Sequence, residues 1–323
     1  MLRTLITFSC FIMIVAHSPV FAQESAPSTP KAVLVTGASS GIGFRMTEVL
    51  SQNGFLVYAG ARSEADIKRL EAMENVEAVR LDVTHADDIS AAVELVKAKG
   101  RGLYGLINNA GLSIFGPMSE VPEEQLDFLF DVNVHGPYRV TQAFLPLLKQ
   151  SQGRLLTTGS IAGSGVSPMM GHYSMSKFAV EAMTDAWAQE LARYGIQVGV
   201  IEPGSFGTNI GNAAHERLLS ENYWSESTQY PEERAAYLEG LTQFDKGADP
   251  LPVAQAALDF MSVSSPKARY MVTPNQEQAT RIIQRLLNRA VQQNHAHPFS
   301  LDREQMIKML NEEMDRIESS KAL

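Results

Sequence analysis

The sequence predicts a single α/β domain that is doubly wound, with a parallel sheet covered by helices on both faces. The first observation is a short, valine-rich apolar run at 31–36, which ends in a glycine turn and is typical of a buried strand. The second is that similar apolar runs alternate along the chain with longer amphipathic stretches. Because strands joined through helices of this length need crossover connections, we expect them to pair in parallel.

The other elements follow from the same two patterns. After the first run, strands are predicted at 55–60, 77–81, 105–108, 153–158, 195–202 and 269–272. Helices are clearest at 43–53, 86–99, 132–151 and 178–194, and two charged amphipathic helices follow at 276–293 and 302–317. The sequence shows no internal repeat and no low-complexity tract.

Composition and charge exclude several classes of protein. The 323 residues are 45% hydrophobic and 20% charged, which is ordinary for a globular chain and unlike collagen-like, disordered or polytopic membrane proteins. The 27 Lys and Arg against 36 Asp and Glu give a net charge of −9 without a dense basic run, so we expect no nucleic-acid partner. A single cysteine excludes an intramolecular disulfide, a thiolate zinc cluster and an iron–sulfur site, and no metal is expected.

The first 22 residues have the parts of a secretory signal peptide. Arg3 precedes an apolar run at 5–16, and small residues lead up to a cut after Ala22. Residues 23–30 then form a polar linker before the domain. The alternative is an uncleaved anchor, since roughly 17–25 residues can span a bilayer. We therefore expect an exported protein, periplasmic or secreted, that is attached to a membrane only if the anchor is retained.

The segment between the first strand and the first helix predicts a phosphate-binding loop. Its glycines are spaced Gly-x-x-x-Gly-x-Gly, and such residues let the backbone approach a pyrophosphate at a helix N-terminus. A tight turn that binds nothing is the alternative interpretation. The residues predicted to contact a dinucleotide here are Thr36, Gly37, Ser39, Ser40, Gly41, Ile42 and Gly43.

Three further motifs follow in order along the chain: Asn108-Asn109-Ala110-Gly111, then Ser160 with Tyr173-x-x-x-Lys177, then Pro203-Gly204. Together with the glycine segment they resemble the short-chain dehydrogenase/reductase family in its short form, over roughly 31–272. The resemblance implies a Rossmann-fold domain at 31–273 that uses NAD(P) to oxidise alcohols or reduce carbonyls. It also implies homo-oligomers, formed through the helices at 132–151 and 178–194.

Tyr173 and Lys177 match what hydride transfer to a carbonyl needs, a proton donor that works near neutral pH. A free tyrosine, with a pKa of about 10, is poorly suited. The two residues lie one helical turn apart, so the lysine cation is expected to lower the pKa of the tyrosine. The resemblance implies that Lys177 also holds the nicotinamide ribose, that Ser160 steadies the substrate oxygen and that Asn133 supports a proton-relay water. An isolated Tyr/Lys pair would instead be a solvated helix face.

The choice between NAD and NADP is made at the end of the second strand. An acidic residue there binds the ribose 2′-hydroxyl, whereas an arginine accommodates a 2′-phosphate. Ala61 stands where the acid is expected and Arg62 follows it, which favours NADP, with NAD possible if Arg62 is only a solvated loop charge. The remaining cofactor contacts that the resemblance implies are Asp82, Val83, Asn108, Ala110, Gly111, Pro203, Gly204, Phe206 and Thr208.

The segment 205–245 lies where the family carries a substrate lid, and it is rich in aromatic residues. The candidate substrate contacts are Phe206, Tyr223, Trp224, Tyr230, Tyr237 and Phe244, together with Met169, Met170 and His172. Such side chains suit a large apolar ligand, and they equally suit packing of the lid onto the body. The likeness is greatest to retinol and 17β-hydroxysteroid dehydrogenases, so we expect a hydrophobic secondary alcohol or ketone, steroid-, retinoid- or lipid-like, as substrate.

Two other functions stay open from the sequence. Some proteins with this fold bind a dinucleotide without turnover and act as redox sensors, but these usually lack the tyrosine or the lysine that this chain retains. A reductase of small carbonyl compounds would keep the same site and differ in substrate alone. The C-terminal extension, 274–323, is expected to pack over the lid or against a partner subunit.

Overall fold

A seven-stranded parallel sheet forms the centre of the computed structural model, which describes residues 30–241 and 246–320. The strands are β1 Ala32–Val35, β2 Leu56–Ala61, β3 Val76–Arg80, β4 Gly105–Asn108, β5 Arg154–Thr158, β6 Gln197–Pro203 and β7 Arg269–Val272. Their order across the sheet is β3-β2-β1-β4-β5-β6-β7, so the winding reverses between β1 and β4. In open α/β sheets ligands bind at the carboxyl ends of the strands beside this reversal.

Eleven α-helices in the described ranges connect and cover these strands. They are α1 Gly41–Gln52, α2 Glu64–Glu71, α3 Ala86–Ala98, α4 Glu123–Phe130, α5 Gly136–Ser151, α6 Gly171–Leu191, α7 Ile210–Glu221, α8 Pro231–Leu241, α9 Leu251–Ser262, α10 Gln276–Asn294 and α11 Arg303–Ser320. One π-helical turn, Asp131–His135, joins α4 to α5. The segment predicted as a lid therefore contains α7 and α8.

Helices cover both faces of the sheet because successive strand residues point to opposite sides. Val33 and Val35 pack in a cluster with Met46 of α1 and Phe260 of α9, whereas Leu34 lies in a second cluster with Phe144 of α5. All four residues of β1 are buried, which explains why that strand is apolar throughout. The doubly wound α/β class that the sequence predicts is confirmed.

Three helices differ from their predicted bounds by more than a residue or two, and one of them, predicted at 302–317, ends three residues later at Ser320. The helix predicted at 178–194 begins at Gly171, because buried polar side chains at His172, Ser174 and Ser176 remove the apolar periodicity from its first turns. The helix predicted at 132–151 begins with the π-helical turn, and the regular α-helix starts only at Gly136.

Some predictions concern residues outside the described ranges. These residues include the signal segment 1–22, most of the linker, and Phe244 of the lid. Across 30–241 and 246–320, no helix has the length and apolar character needed to cross a membrane. The same residues hold no group of three or more His, Cys, Asp or Glu side chains placed to bind a metal ion.

Candidate active site

The loop between β1 and α1 requires glycine for reasons of backbone geometry. Gly37 and Gly41 have φ of +64° and +54°, a region that side chains disfavour. A Cβ at Gly43 would lie 2.2 Å from the main-chain oxygen of Gly37, so helix and loop are in close contact there. Ser40 precedes α1 without a side-chain capping bond, which leaves the positive end of the helix open to an anion.

Asn109 braces this loop against the end of β4. Its side-chain amide donates to the main-chain oxygens of Thr36, at 3.1 Å, and Gly37, at 3.3 Å. The hydroxyl of Thr36 in turn accepts hydrogen bonds from the main-chain nitrogens of Asn109, at 2.9 Å, and Ala110, at 3.0 Å. These bonds fix the glycine loop at the point where the sheet reverses its winding.

One cavity of about 950 Å³ runs along the carboxyl ends of the strands, from Arg62 to the far side of Tyr173. Its open helix N-terminus, glycine-lined floor and length fit a dinucleotide. The predicted site residues that line it are Gly37, Ser39, Ser40, Gly41, Ile42, Gly43, Arg62, Asp82, Val83, Ala110, Gly111, Ser160, Tyr173, Lys177, Pro203, Gly204, Phe206 and Thr208.

Three predicted site residues lie behind the cavity wall instead of lining it. The hydroxyl of Thr36 is used in the loop bonds described above, and the side-chain amide of Asn108 donates to Thr141 Oγ1 at 2.9 Å. Asn133 binds the main chain of Leu112 through both amide atoms, each at 2.9 Å. These side chains thus have hydrogen-bond partners inside the protein, as is usual for buried polar groups, and brace the site from behind.

Asn133 is the clearest example of such bracing. It lies in the π-helical turn, its residue is 2% exposed, and its Nδ2 also donates to Ser176 Oγ at 3.1 Å. Its amide oxygen accepts from Leu112 and its amide nitrogen donates to Leu112 and Ser176, so both amide atoms have partners within the protein. Its side chain instead connects the β4 loop to α6, the helix that carries Tyr173.

Ser160 and Tyr173 both line the cavity and are hydrogen-bonded to each other. Ser160 caps a short 3₁₀ turn, where its Oγ accepts from the main-chain nitrogen of Ala162 at 3.1 Å. Burial raises the pKa of Tyr173 to about 12, while its hydrogen bond with Ser160 acts in the opposite direction. At neutral pH Tyr173 thus holds a proton next to a second hydroxyl.

Lys177 lies one turn further along α6 and does not have the effect on Tyr173 that the sequence predicts. Its Nζ is 5.7 Å from the centre of the Tyr173 ring and donates to the main-chain oxygen of Thr158 at 2.8 Å. Burial lowers the pKa of Lys177 to about 8, although the Glu181 carboxylate opposes this. The expected lowering of the tyrosine pKa is wrong for the protein alone, because burial of the phenol outweighs a cation at this distance.

Arg62 and Arg69 lie at the end of the cavity beside β2. Arg62 is highly exposed, with a side chain 76% accessible and a nitrogen 3.8 Å from an Asp82 oxygen. Burial alone would raise the pKa of Asp82, but hydrogen bonds from Thr84 hold it below its usual value. Arg69 of α2 also lines the cavity and donates to the main-chain oxygen of Ser39. Sequence reasoning missed Arg69, although its position on the helix after the β2 end was a usable signal.

The opposite end of the cavity is mostly apolar, but the predicted lid aromatics do not form its wall. Residues that line it here include Leu112, Phe115, Phe128, Met170, Ile210, Ala214 and Arg217. Trp224 is fully buried with Tyr223 in the cluster that also contains Tyr173, and Tyr230 and Tyr237 pack against that cluster without lining the cavity. The expectation for these four aromatics is corrected, because they attach α7 and α8 to the body. Met169 and His172 also do not line the cavity.

Helix α10, the first helix of the C-terminal extension, contributes directly to the rim. Gln278 Oε1 accepts from the main-chain nitrogen of Ser205 at 3.0 Å, and Ile282 is buried beside it. Arg281 and Arg285 of the same helix also line the cavity. The extension thus packs over the start of the predicted lid at Ser205 and, through Arg285, over Ser167 in the connection between β5 and α6, which no local pattern in the sequence indicated.

Comparison with known proteins agrees with this site. Residues 31–218 match the model of the short chain dehydrogenase family. The chain is 30% identical over 272 residues to mitochondrial D-beta-hydroxybutyrate dehydrogenase of Rattus norvegicus, covering 77% of this chain and 79% of that one. It is 33% identical over 254 residues to retinol dehydrogenase 7 of Mus musculus, covering 74% and 79%.

A solved structure gives the same result for the fold. A short-chain dehydrogenase from Streptomyces avermitilis superposes with a TM-score of 0.69 and 26% identity, covering 83% of this chain and 96% of that one. The family match covers more than half of the chain and includes the glycine loop, Ser160, Tyr173 and Lys177. The chain therefore belongs to the short-chain dehydrogenase family of oxidoreductases, whose cofactor is a nicotinamide dinucleotide.

Proposed function

We propose that this protein transfers a hydride between NADP(H) and a hydrophobic secondary alcohol or ketone, with Tyr173 as the acid and base. The observation that carries the proposal is the hydrogen bond between Ser160 and Tyr173 in a cavity that is polar on one side and apolar on the other. The nicotinamide, when bound, supplies or accepts the hydride. The protein's own residues supply the proton and orient the carbonyl.

Each catalytic residue has a distinct task in ketone reduction. Tyr173 retains its proton at neutral pH, since burial raises its pKa to about 12, and donates it to the substrate oxygen. Ser160, which hydrogen-bonds to Tyr173, donates to the same oxygen and stabilises the charge that develops there. Lys177 is positioned by its bond to Thr158 at the cofactor side of the tyrosine, where it holds the ribose.

The preference for NADP is supported by charge at the β2 end of the cavity. Ala61 occupies the position where an acidic residue would favour NAD, and Arg62 follows it with an exposed guanidinium. Arg69 lies nearby, paired with Asp66 at 2.8 Å. A 2′-phosphate is a suitable partner for both, because guanidinium groups bind phosphate oxygens in pairs.

The apolar substrate class is supported by the wall beyond Tyr173. Phe115 lies 6.5 Å from Tyr173 between ring centres, and Phe128 and Met170 line the same space. Removing apolar surface from water contributes about 25 cal/mol per Å², so a large ligand gains more here than a small one. A small carbonyl substrate remains the alternative, and a redox sensor is disfavoured because the catalytic groups converge.

The test is a substrate panel with both cofactors. Steroid-, retinoid- and long-chain-sized ketones should exceed small polar carbonyls in kcat/KM by orders of magnitude with NADPH. If small polar carbonyls are the best substrates, the apolar assignment fails. If no carbonyl or alcohol is turned over while NADPH still binds, the sensor function replaces catalysis.

Two proposals concern the setting of the enzyme. We propose that residues 1–22 direct export and are removed before a domain that begins near residue 31, which N-terminal mass spectrometry and cell fractionation test. We also propose a homo-oligomer through α5 and α6, where Tyr138 stacks on Trp187 and Met175 is exposed. Light scattering of the purified protein measures its oligomeric state, and a monomer would contradict this proposal.

A further inference from the structure

Contacts along the first two turns of α10 hold this helix against the rim of the cavity. Asn275 caps the helix by accepting from the main-chain nitrogen of Gln278 at 3.0 Å. Gln278 accepts from Ser205, and Ile282, one turn later, is only 3% exposed. The next residue on this face is Arg285, so the helix holds an arginine in a defined position over the cavity.

Arg285 is packed against the connection between β5 and α6, which follows Ser160. A Cβ at Gly165 would lie 2.8 Å from Arg285 Cδ, so the absence of a side chain there makes room for the arginine stem. Its Nη1 lies 3.4 Å from Ser167 Oγ, a long and weak hydrogen bond. Gly165 and Ser167 line the cavity beside Arg285, on the connection that leads from Ser160 to Tyr173.

The charges around the cavity are distributed unevenly. Among the described residues that line it, the carboxylates are Asp66 and Asp82, both at the β2 end. Two other arginines that line the cavity have counterions: Arg217 is paired with Glu221 at 3.0 Å and Arg281 with Glu277 at 2.5 Å. Within the described ranges, no carboxylate lies within 4.0 Å of the Arg285 guanidinium. Arg285 is therefore a half-buried cation without a counterion.

We infer that Arg285 binds a carboxylate of the substrate, so that the preferred ligand is an apolar alcohol or ketone with an acidic end. This inference rests on the proposed oxidoreductase function and specifies its substrate class. A guanidinium pairs with a carboxylate through two parallel hydrogen bonds, which fixes orientation as well as charge. The carbonyl then lies at Tyr173, the chain crosses the apolar wall, and the acid reaches Arg285 at the rim.

The experiment compares acids with their esters on the same carbon skeleton. The probes are methyl ketones of increasing chain length that end in a carboxylate, each paired with its methyl ester, with NADPH as cofactor. Wild-type enzyme should prefer the acid at one optimum length. Arg285→Gln should lower kcat/KM for that acid by about 10- to 100-fold, mainly through KM, and should affect the ester far less.

Two variants make the comparison specific. Arg285→Lys keeps the charge but not the paired hydrogen bonds, and should recover part of the preference for the acid. Arg289→Gln is the matched control, since Arg289 lies on the same helix over the Phe178 ring, 5.0 Å from its centre, and outside the cavity. An equal loss for acid and ester in Arg285→Gln, or no loss for either, overturns the inference. A raised KM for NADPH alone would assign Arg285 to the cofactor instead.

Failure of the proposed function gives a different result. If neither the acid nor the ester is reduced, the oxidoreductase assignment for such ketones fails. Calorimetry with the NADPH-loaded protein then tests the anion site directly. Tighter binding of the acid to wild type than to Arg285→Gln supports the site, and equal binding overturns it.

Discussion

The ammonium group of Lys177 donates to the main-chain oxygen of Thr158, at 2.8 Å, and not to the hydroxyl of Tyr173. The bond connects α6 to the end of β5, so the helix that carries Tyr173 is attached to the strand that leads to Ser160. The catalytic geometry therefore depends on a contact between a side chain and the backbone, while the tyrosine stays protonated through burial.

The first prediction concerns Tyr173, the proposed acid. Tyr173→Phe removes the hydroxyl but keeps the ring that packs near Phe115, so kcat for ketone reduction should fall by about 10²- to 10⁴-fold. NADPH affinity, measured by fluorescence titration, should change little. A variant that retains more than a few per cent of the wild-type rate would show that another group supplies the proton.

The second prediction concerns the cofactor. Arg62→Asp should move the ratio of kcat/KM values from NADPH towards NADH by about tenfold or more, because it removes a phosphate partner and adds repulsion. Lys68→Asp is the matched control, since Lys68 is exposed on α2 nearby and does not line the cavity. An unchanged ratio in Arg62→Asp would contradict the NADP assignment.

The third prediction separates packing from substrate binding among the aromatic residues. Trp224 is fully buried and its Nε1 donates to Thr228 at 3.0 Å, so Trp224→Ala should lower the free energy of unfolding by about 3–5 kcal/mol. Phe128 lines the cavity beneath the Arg217 guanidinium, 3.9 Å from the ring centre. Phe128→Ala should instead raise KM for large ketones more than it lowers kcat. Denaturant unfolding and steady-state kinetics distinguish the two, and a reversal of these effects would refute the cavity assignment.

The fourth prediction concerns Glu181, a buried carboxylate on α6 with its side chain 13% exposed. Burial, with the nearby Glu202, raises the pKa of Glu181 to about 7, although Arg269 opposes this. A raised folded-state pKa means that the folded protein binds the extra proton. The stabilising effect of this proton on the folded state is complete below the unfolded-state pKa of 4.5, and it is lost as pH rises through about 7.

Glu181→Gln removes this titration, so it should flatten the fall in unfolding free energy between those two pH values. The expected gain for the variant above pH 7 is on the order of 2–3 kcal/mol. Asp185→Asn is the control, because Asp185 contacts the same Arg269 at 2.8 Å but is 53% exposed. Chemical denaturation across this pH range gives the measurement, and equal slopes for wild type and Glu181→Gln would contradict the prediction.

Much of the fold could be predicted from local patterns. The buried run at 31–36 and its glycine loop place β1 and α1, and most other boundaries agree to within a residue or two. The start of α6 could not be found in this way, since His172 and Ser176 are buried polar residues, and Ser176 accepts a hydrogen bond from Asn133, which is distant in the sequence. The bracing roles of Asn108 and Asn133 were missed for the same reason.

The sequence by itself determined the doubly wound class, the glycine loop and the Tyr173–Lys177 spacing, because each depends on residues that are close along the chain. Only the tertiary structure decided which residues line the cavity. Trp224 is buried in the core, Arg69 donates to the main chain of Ser39, and α10 places Arg285 against the loop at Ser167. These contacts join residues far apart in sequence, and they form only when helices pack on the sheet to bury apolar surface, which no local pattern specifies.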